Sequence, residues 1–278
     1  MPEADPAELP PAPPPLAAPV FDAHTHLDAM AEKGRRVADA AFVADVMRQA
    51  RAVGVVRAIT VADSMASARW CVGAAAAHPD VYAAVAVHPT EVNGMTDSDY
   101  VELELLAAHP KVVAIGETGL DHYWDTTDPA LQEHHFRRHI DLAKRVGKTL
   151  MIHDRDAHGD VLRILESEGA PERVVFHAFS GDRDFASSCV AAGYVLSFPG
   201  VVTFTNAPAL RDAATTVPMG QVLVETDAPF LTPHPFRGRP NSPYLLPYTL
   251  LGLAQAMTVD PAELAESIMN TGSRLFGF

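Results

Sequence analysis

Residues 19–28 read PVFDAHTHLD: a short apolar run that ends in polar residues two apart, Asp22, His24, His26 and Asp28. Side chains two apart on a strand share a face, so His24 and His26 can point together into the space beyond the strand's end. Seven further runs of similar length follow, at Val55–Val61, Val81–His88, Val112–Glu117, Thr149–His153, Arg173–His177, Gly193–Phe198 and Gln221–Thr226. All are nearly apolar throughout, as strands covered on both faces must be. Between them the apolar spacing changes to the helical period, over Phe42–Ala52, Ser64–Ala77, Asp99–Ala108, Ala130–Val146, Ala157–Glu168, Asp182–Ala191, Asn206–Thr216 and Pro243–Met257. Ser64 and Asp128-Pro129 stand where helix starts belong, and Gly147 and Gly169 where helices end. Alternation of strand and helix implies a parallel sheet. Eight units in about 240 residues suit an α/β protein of the (β/α)8 TIM-barrel type better than an open doubly wound sheet. One extra C-terminal helix is expected over Pro261–Leu275.

The flanks and the bulk composition narrow the class further. Residues 1–20 hold eight of the 23 prolines, so residues 1–19 are expected to form a disordered or extended tail, with a single domain over residues 20–278. The chain is 48% hydrophobic and 20% charged, which is ample for a large core. No apolar run reaches the roughly 18 residues of a membrane span, and the N-terminus lacks the basic and apolar regions of a secretory signal. Cys71 and Cys189 therefore read as reduced, buried residues, and the expected location is cytoplasmic with no membrane partner. No obligate protein partner is indicated. A net charge of −14 argues against a general nucleic-acid scaffold but not against an enzyme that touches phosphate at one spot.

The polar residues fall where a barrel places chemistry, at the C-terminal strand ends. Besides His24 and His26, the fourth run ends at Glu117, the fifth at His153, the sixth at His177 and the eighth in Glu225-Thr-Asp227. Imidazoles and carboxylates without thiols favour Zn, Mn or Mg. Were Glu117 and Asp227 to converge to about 5 Å, their repulsion would reach about 3 kcal/mol, which a divalent cation removes. His88, at the end of the third run, faces the same mouth and is expected to contact substrate. His78 and His109 read as helix-end caps, and His134, His135 and His139 as surface residues of one long helix. Seven of the 21 basic residues, Lys33, Arg35, Arg36, Arg155, Arg183, Arg237 and Arg239, fall in loops on this face and suggest anion steering. Arg155, two residues beyond His153, is the expected phosphate contact. Asp28 and Asp121 are expected to orient imidazoles from behind.

The ordered set FDAHTHLD, VHP, GETGLD, IHDRDA, FHAFSG, TFTNA, ETDAPFLTP and RGRPNSP resembles the TatD family of metal-dependent deoxyribonucleases, in the amidohydrolase superfamily. The resemblance runs from residue 21 to about residue 276. It implies a barrel with two adjacent divalent sites. His24, His26, Glu117 and Asp227 would hold one ion, and Glu117 would bridge to a second held by His153 and His177. Asp227 would move a proton. DNA would be the substrate, with 3′-5′ cleavage of single strands expected. The competing expectation is a superfamily hydrolase of a small amide, ester or lactone, and a third is a barrel that binds without catalysing. Thr118 and His122 depart from the family pattern and touch none of these positions.

Overall fold

The structure, a computed structural model, describes residues 9–278. Its strands are β1 (Val20–Thr25), β2 (Val55–Val61), β3 (Val81–Ala84), β4 (Val112–Asp121), β5 (Thr149–Arg155), β6 (Val174–Phe176), β7 (Val195–Phe198) and β8 (Val222–Val224). They form one eight-stranded sheet in chain order, and every neighbouring pair is parallel. Backbone hydrogen bonds then bring the last strand back to the first: Asp227 N donates to His24 O at 2.9 Å, and His26 N donates to Ala228 O at 2.7 Å. The result is a (β/α)8 barrel.

Helices α1 (Leu27–Lys33), α2 (Ala40–Ala52), α3 (Met65–Ala77), α4 (Asp97–Ala107), α5 (Pro129–Val146), α6 (His158–Glu168), α7 (Arg183–Ala191), α8 (Pro208–Ala214), α9 (Leu246–Met257) and α10 (Pro261–Phe276) surround it. The expected caps are present: Ser64 accepts from Ser67 N at 3.2 Å and Asp128 from Ala130 N at 2.7 Å, while Gly147 ends α5 in the left-handed conformation. The short α1, in the loop after β1, is not announced by the sequence periodicity. Among the described residues no helix is long and apolar enough to cross a membrane.

Strand lengths depart from expectation at the mouth. β3 stops at Ala84, whereas β4 runs on to Asp121, pairing with β5 as far as Asp121 opposite Arg155. Gly119 permits that extension. Its φ is +147°, and a Cβ there would lie 2.0 Å from His153 O. A side chain at this position would force apart the two strands that carry Glu117 and His153.

Two expectations need correction. Disorder does not describe residues 9–19, whereas residues 1–8 lie outside the described part. Leu16 N donates to Val53 O at 3.1 Å, Arg239 donates to Leu9 O at 2.9 Å, Tyr244 donates to Pro10 O, and Ala18 is buried. Prolines leave little backbone entropy to lose, so a few contacts suffice to hold an extended strap. Surface placement holds for His134 but not for His135 or His139, which are 4% and 0% exposed. Their spacing from Gln132, Phe136, Ile140 and Ala143 puts them on the buried face of α5. Each has a polar partner there. His135 Nδ1 pairs with Tyr100 Oη at 2.8 Å, and His139 Nδ1 lies 2.9 Å from His135 O and 3.0 Å from Thr118 Oγ1. Cys71 and Cys189 are free and buried, as expected.

Candidate metal centre

Glu117, 4% exposed at the middle of the mouth, divides its two oxygens between two groups of donors. Oε1 lies 3.4 Å from His26 Nε2 and 3.7 Å from His24 Nε2. Asp227 Oδ1 completes that group, at 3.3 Å from His26 Nε2 and 3.8 Å from His24 Nε2. Oε2 lies 2.7 Å from His177 Nε2 and 3.2 Å from His153 Nδ1, and these two nitrogens are 3.2 Å apart. A four-coordinate ion with ligands at about 2.1 Å holds them roughly 3.4 Å from one another. Both groups match that spacing.

Local structure aims these atoms. His24 and His26 alternate with Thr25 at the end of β1, so both rings turn inward. Asp227 and Ala178 adopt positive φ, 52° and 42°, just beyond the ends of β8 and β6. Such backbone costs on the order of 1 kcal/mol for a residue other than glycine, and here it turns the chain at the lip of the cleft. Three of the four imidazoles have a polar neighbour at the outward nitrogen, whereas His24 Nδ1 is buried with no hydrogen-bond partner among the described residues. His26 Nδ1 is 2.9 Å from Val61 O, His153 Nε2 is 3.0 Å from Asp121 Oδ2, and His177 Nδ1 is 3.4 Å from Glu225 Oε1. This is the arrangement that fixes the tautomer of a metal-binding imidazole.

Burial disfavours charge at every one of these groups; at His24 it prevails, with the charge of His177, and pushes the imidazole down, while at the others mutual attraction overrides it. For Glu117, burial is outweighed by the charge of His177 and by hydrogen bonds with His153 and His177, which hold the carboxyl well below the usual range. His26 is pushed up to about 9: burial opposes the rise, but the Asp227 hydrogen bond and the Glu117 and Asp227 charges exceed it. His177 is raised well above its ordinary value in the same way by Glu117 and Glu225, again against burial. Protons thus occupy positions that a cation would take, and a bound cation must displace them.

The other expected site residues divide. His88 Nε2 is 4.0 Å from Glu117 Oε2. Its Nδ1 accepts from Thr90 N at 3.2 Å, so in the neutral ring Nε2 carries the proton, facing the cleft. Burial pushes His88 down to about 3, which keeps it neutral. Arg155 reaches the cleft wall with its guanidinium 4.0 Å from the Tyr123 ring. Asp121 meets His153 as expected. Asp28 does not meet an imidazole: its carboxylate accepts from Ser67 Oγ and from Ala29 N at the start of α1. The peptide carbonyl of Val61 takes the place beside His26 instead. Of the seven expected steering cations, Arg183 is tied to Asp212 at 2.6 Å and Arg36 to Asp45 at 3.4 Å.

Three contributors escaped sequence reasoning. Glu225, fully buried, accepts from Ala178 N at 2.6 Å as well as facing His177. Asp22, also fully buried, accepts from Thr226 N at 2.9 Å and His24 N at 3.3 Å, joining β1 to β8 behind the donors. Burial pushes its carboxyl up to about 8. Asp22 lies two residues before His24 on β1 and Glu225 two residues before Asp227 just past β8, and that spacing was the available signal. Gln132 accepts from Asp121 N at 2.8 Å and donates to Asp121 O at 2.9 Å, clamping the residue that orients His153. Only its place on the buried face of α5 could have marked it.

A parallel barrel whose strand ends gather two adjoining His–carboxylate groups around one shared glutamate has the construction of a metal-dependent hydrolase. The family model of the TatD-related DNases matches residues 21–277. An uncharacterized metal-dependent hydrolase, TatD, of Mycobacterium tuberculosis is 49% identical over 263 residues, covering 93% of this chain and 98% of its own. The Bacillus subtilis metal-dependent hydrolase YabD, also uncharacterized, is 37% identical over 259 residues, covering 92% and 98%. Among solved structures, the TatD homolog YjjV of Escherichia coli superposes with a TM-score of 0.86 at 27% identity, covering 93% of this chain and 98% of that one. The chain belongs to the TatD family.

Proposed function

We propose that the protein is a deoxyribonuclease that hydrolyses phosphodiester bonds of DNA, removing nucleotides from the 3′ ends of single strands with two divalent ions, Mg, Mn or Zn. One observation carries the reading: Glu117 presents one oxygen to each of two adjoining donor groups, at 3.4 Å from His26 and 2.7 Å from His177. Bound there, a pair of divalent ions supplies an activated water and charge to polarise the electrophile. His24, His26 and Asp227 would take one ion, His153 and His177 the other, and Glu117 both. Asp227, 8% exposed and on the cleft wall, would move a proton between attacking and leaving oxygens. His88 offers its Nε2–H to a phosphoryl oxygen.

The choice of a phosphodiester over an amide, ester or lactone is supported by charge. Arg155 lines the cleft, and Lys33 stands beside it over Phe230; among the described residues neither is paired with a carboxylate. An anionic substrate satisfies both, whereas a neutral one leaves them unused. The test is add-back of Mg, Mn and Zn to metal-stripped protein, with mapping of the products from end-labelled single-stranded DNA. A metal-dependent ladder shortening from the 3′ end is expected. Inert DNA alongside rapid turnover of lactones or N-acyl compounds would transfer the site to small-molecule hydrolysis.

A further inference from the structure

The mouth of the barrel carries three large aromatic side chains that the core does not absorb. Tyr123, Trp124 and Phe230 are 54%, 53% and 49% exposed. Trp124 and Phe230 line the same cleft of about 560 Å³ as Glu117, His88 and Asp227. They come from loops after β4 and β8, four strands apart in a ring of eight, and so stand on opposite sides of the donor groups. Phe230 is in contact with the chemistry, its ring centroid 6.1 Å from that of His26 and edge-on to it.

Each platform is paired with a cation. The Arg155 guanidinium is 4.0 Å from the Tyr123 ring and 5.9 Å from that of Trp124, and Lys33 Nζ is 5.3 Å from the Phe230 ring. Each platform is also anchored. Asp121 Oδ1 accepts from Tyr123 N at 2.9 Å and Trp124 N at 3.1 Å, so the carboxylate that orients His153 also sets the Trp124 loop. Asn241 Nδ2 donates to Phe230 O at 2.6 Å and Thr226 O at 2.7 Å. Anchoring lowers the ordering cost of any ligand that uses the rings.

We propose that Trp124 and Phe230 are two halves of a stacking clamp that takes the unpaired bases on either side of the scissile phosphodiester, with Arg155 and Lys33 on the neighbouring phosphates. The proposal rests on the phosphodiesterase reading and adds to it the residues that select the substrate. A nucleic-acid strand alternates a flat apolar base with an anionic phosphate, and ring plus cation on each side of the centre repeats that alternation. Bases in a duplex have both faces covered by their neighbours, so the clamp admits a single strand. A small inorganic anion could use the cations but offers no flat apolar face to either ring.

The experiment uses the full chain with Mn and 5′-labelled oligothymidylate, beside the same oligomer carrying abasic tetrahydrofuran residues at the two nucleotides flanking the cut. Wild type is expected to show a KM about tenfold higher for each base removed, in keeping with the stacking free energy of one base. In Trp124→Ala and Phe230→Ala the KM for oligothymidylate rises by a similar factor, and the abasic-to-thymidine ratio on the altered side falls toward one. Both rings are exposed, and circular dichroism confirms folding. As a second measurement, oligothymidylate quenches the tryptophan fluorescence of metal-stripped wild type, and Trp124→Phe abolishes that quenching. An unchanged abasic ratio in both variants, or equal KM for single-stranded and blunt duplex DNA, overturns the clamp while leaving the nuclease standing. Wild type that cleaves no DNA with any of the three metals overturns the nuclease reading and the clamp with it.

Discussion

The two donor groups that share Glu117 are built differently. On the β1/β8 side the outward nitrogen of His26 meets a peptide carbonyl, Val61 O, and Asp227 is held by a backbone bond to His24. On the β4–β6 side both outward nitrogens meet carboxylates: Asp121 behind His153 and Glu225 behind His177. A carboxylate behind an imidazole raises its basicity as a ligand, while a carbonyl mainly fixes its orientation. The first group is thus secured by the barrel itself, and the second by side chains that substitution can remove. That second group depends on a chain of supports running from Gln132 through Asp121 to His153.

The largest expected effect removes the shared element. Glu117→Ala should lower turnover by about a thousandfold and weaken both ions, because each group loses an oxygen. Near wild-type turnover at matched metal occupancy would rule out the bridging role. Next comes pH. Asp227 and Glu117 push His26 up to about 9 against burial, and it must be deprotonated to bind an ion. Affinity on the β1/β8 side should therefore rise with pH up to about 9, by about tenfold per unit for each proton displaced. Calorimetry in buffers of different ionisation enthalpy counts those protons, and a pH-independent affinity between 6 and 9 would contradict the assignment.

The comparison itself is sharpened by Asp121→Asn. This change keeps the shape of the support but removes its charge, and should cost one of two ions about tenfold in affinity while sparing the other. Gln132→Leu should act in the same direction and more weakly, since it loosens Asp121 without removing it. Equal weakening of both ions in metal titrations would show that the two groups are not separately supported. Arg155→Ala should act on substrate and on neither ion: KM for DNA up by about tenfold, kcat nearly constant, and a shallower salt dependence.

The legibility of these features follows their range along the chain. Ser64, Gly147 and the eight apolar runs were readable because capping, helix termination and strand burial act over a few residues. Glu117 was readable as a ligand-type carboxylate on the fourth run, although β4 continues past it to Asp121. Gln132 was not, because its partners are the backbone groups of Asp121, met only after β4 and α5 have packed. His135 and His139 misled for a different reason. Histidine is usually placed at the surface, and only the spacing shared with Phe136 and Ile140 shows that this stretch of α5 is turned inward.

Asp28 and Asp121 make the same point as a pair. Both sit just beyond donors in their motifs, and both were expected to support imidazoles. One accepts from Ala29 N in the first turn of α1 and from Ser67 of α3, and the other meets His153 across a strand boundary. Sequence alone established the alternation of strand and helix, and with it the barrel and the strand ends at which ligand-type side chains gather. Those depend on local periodicity and on which residues water excludes. Tertiary structure alone decided which nitrogen of each histidine turns inward, which oxygen of Glu117 serves which group, and which rings stay bare at the rim. Each of those is set by a partner from another strand or helix, such as Glu225 for His177, and no local rule reaches across that distance.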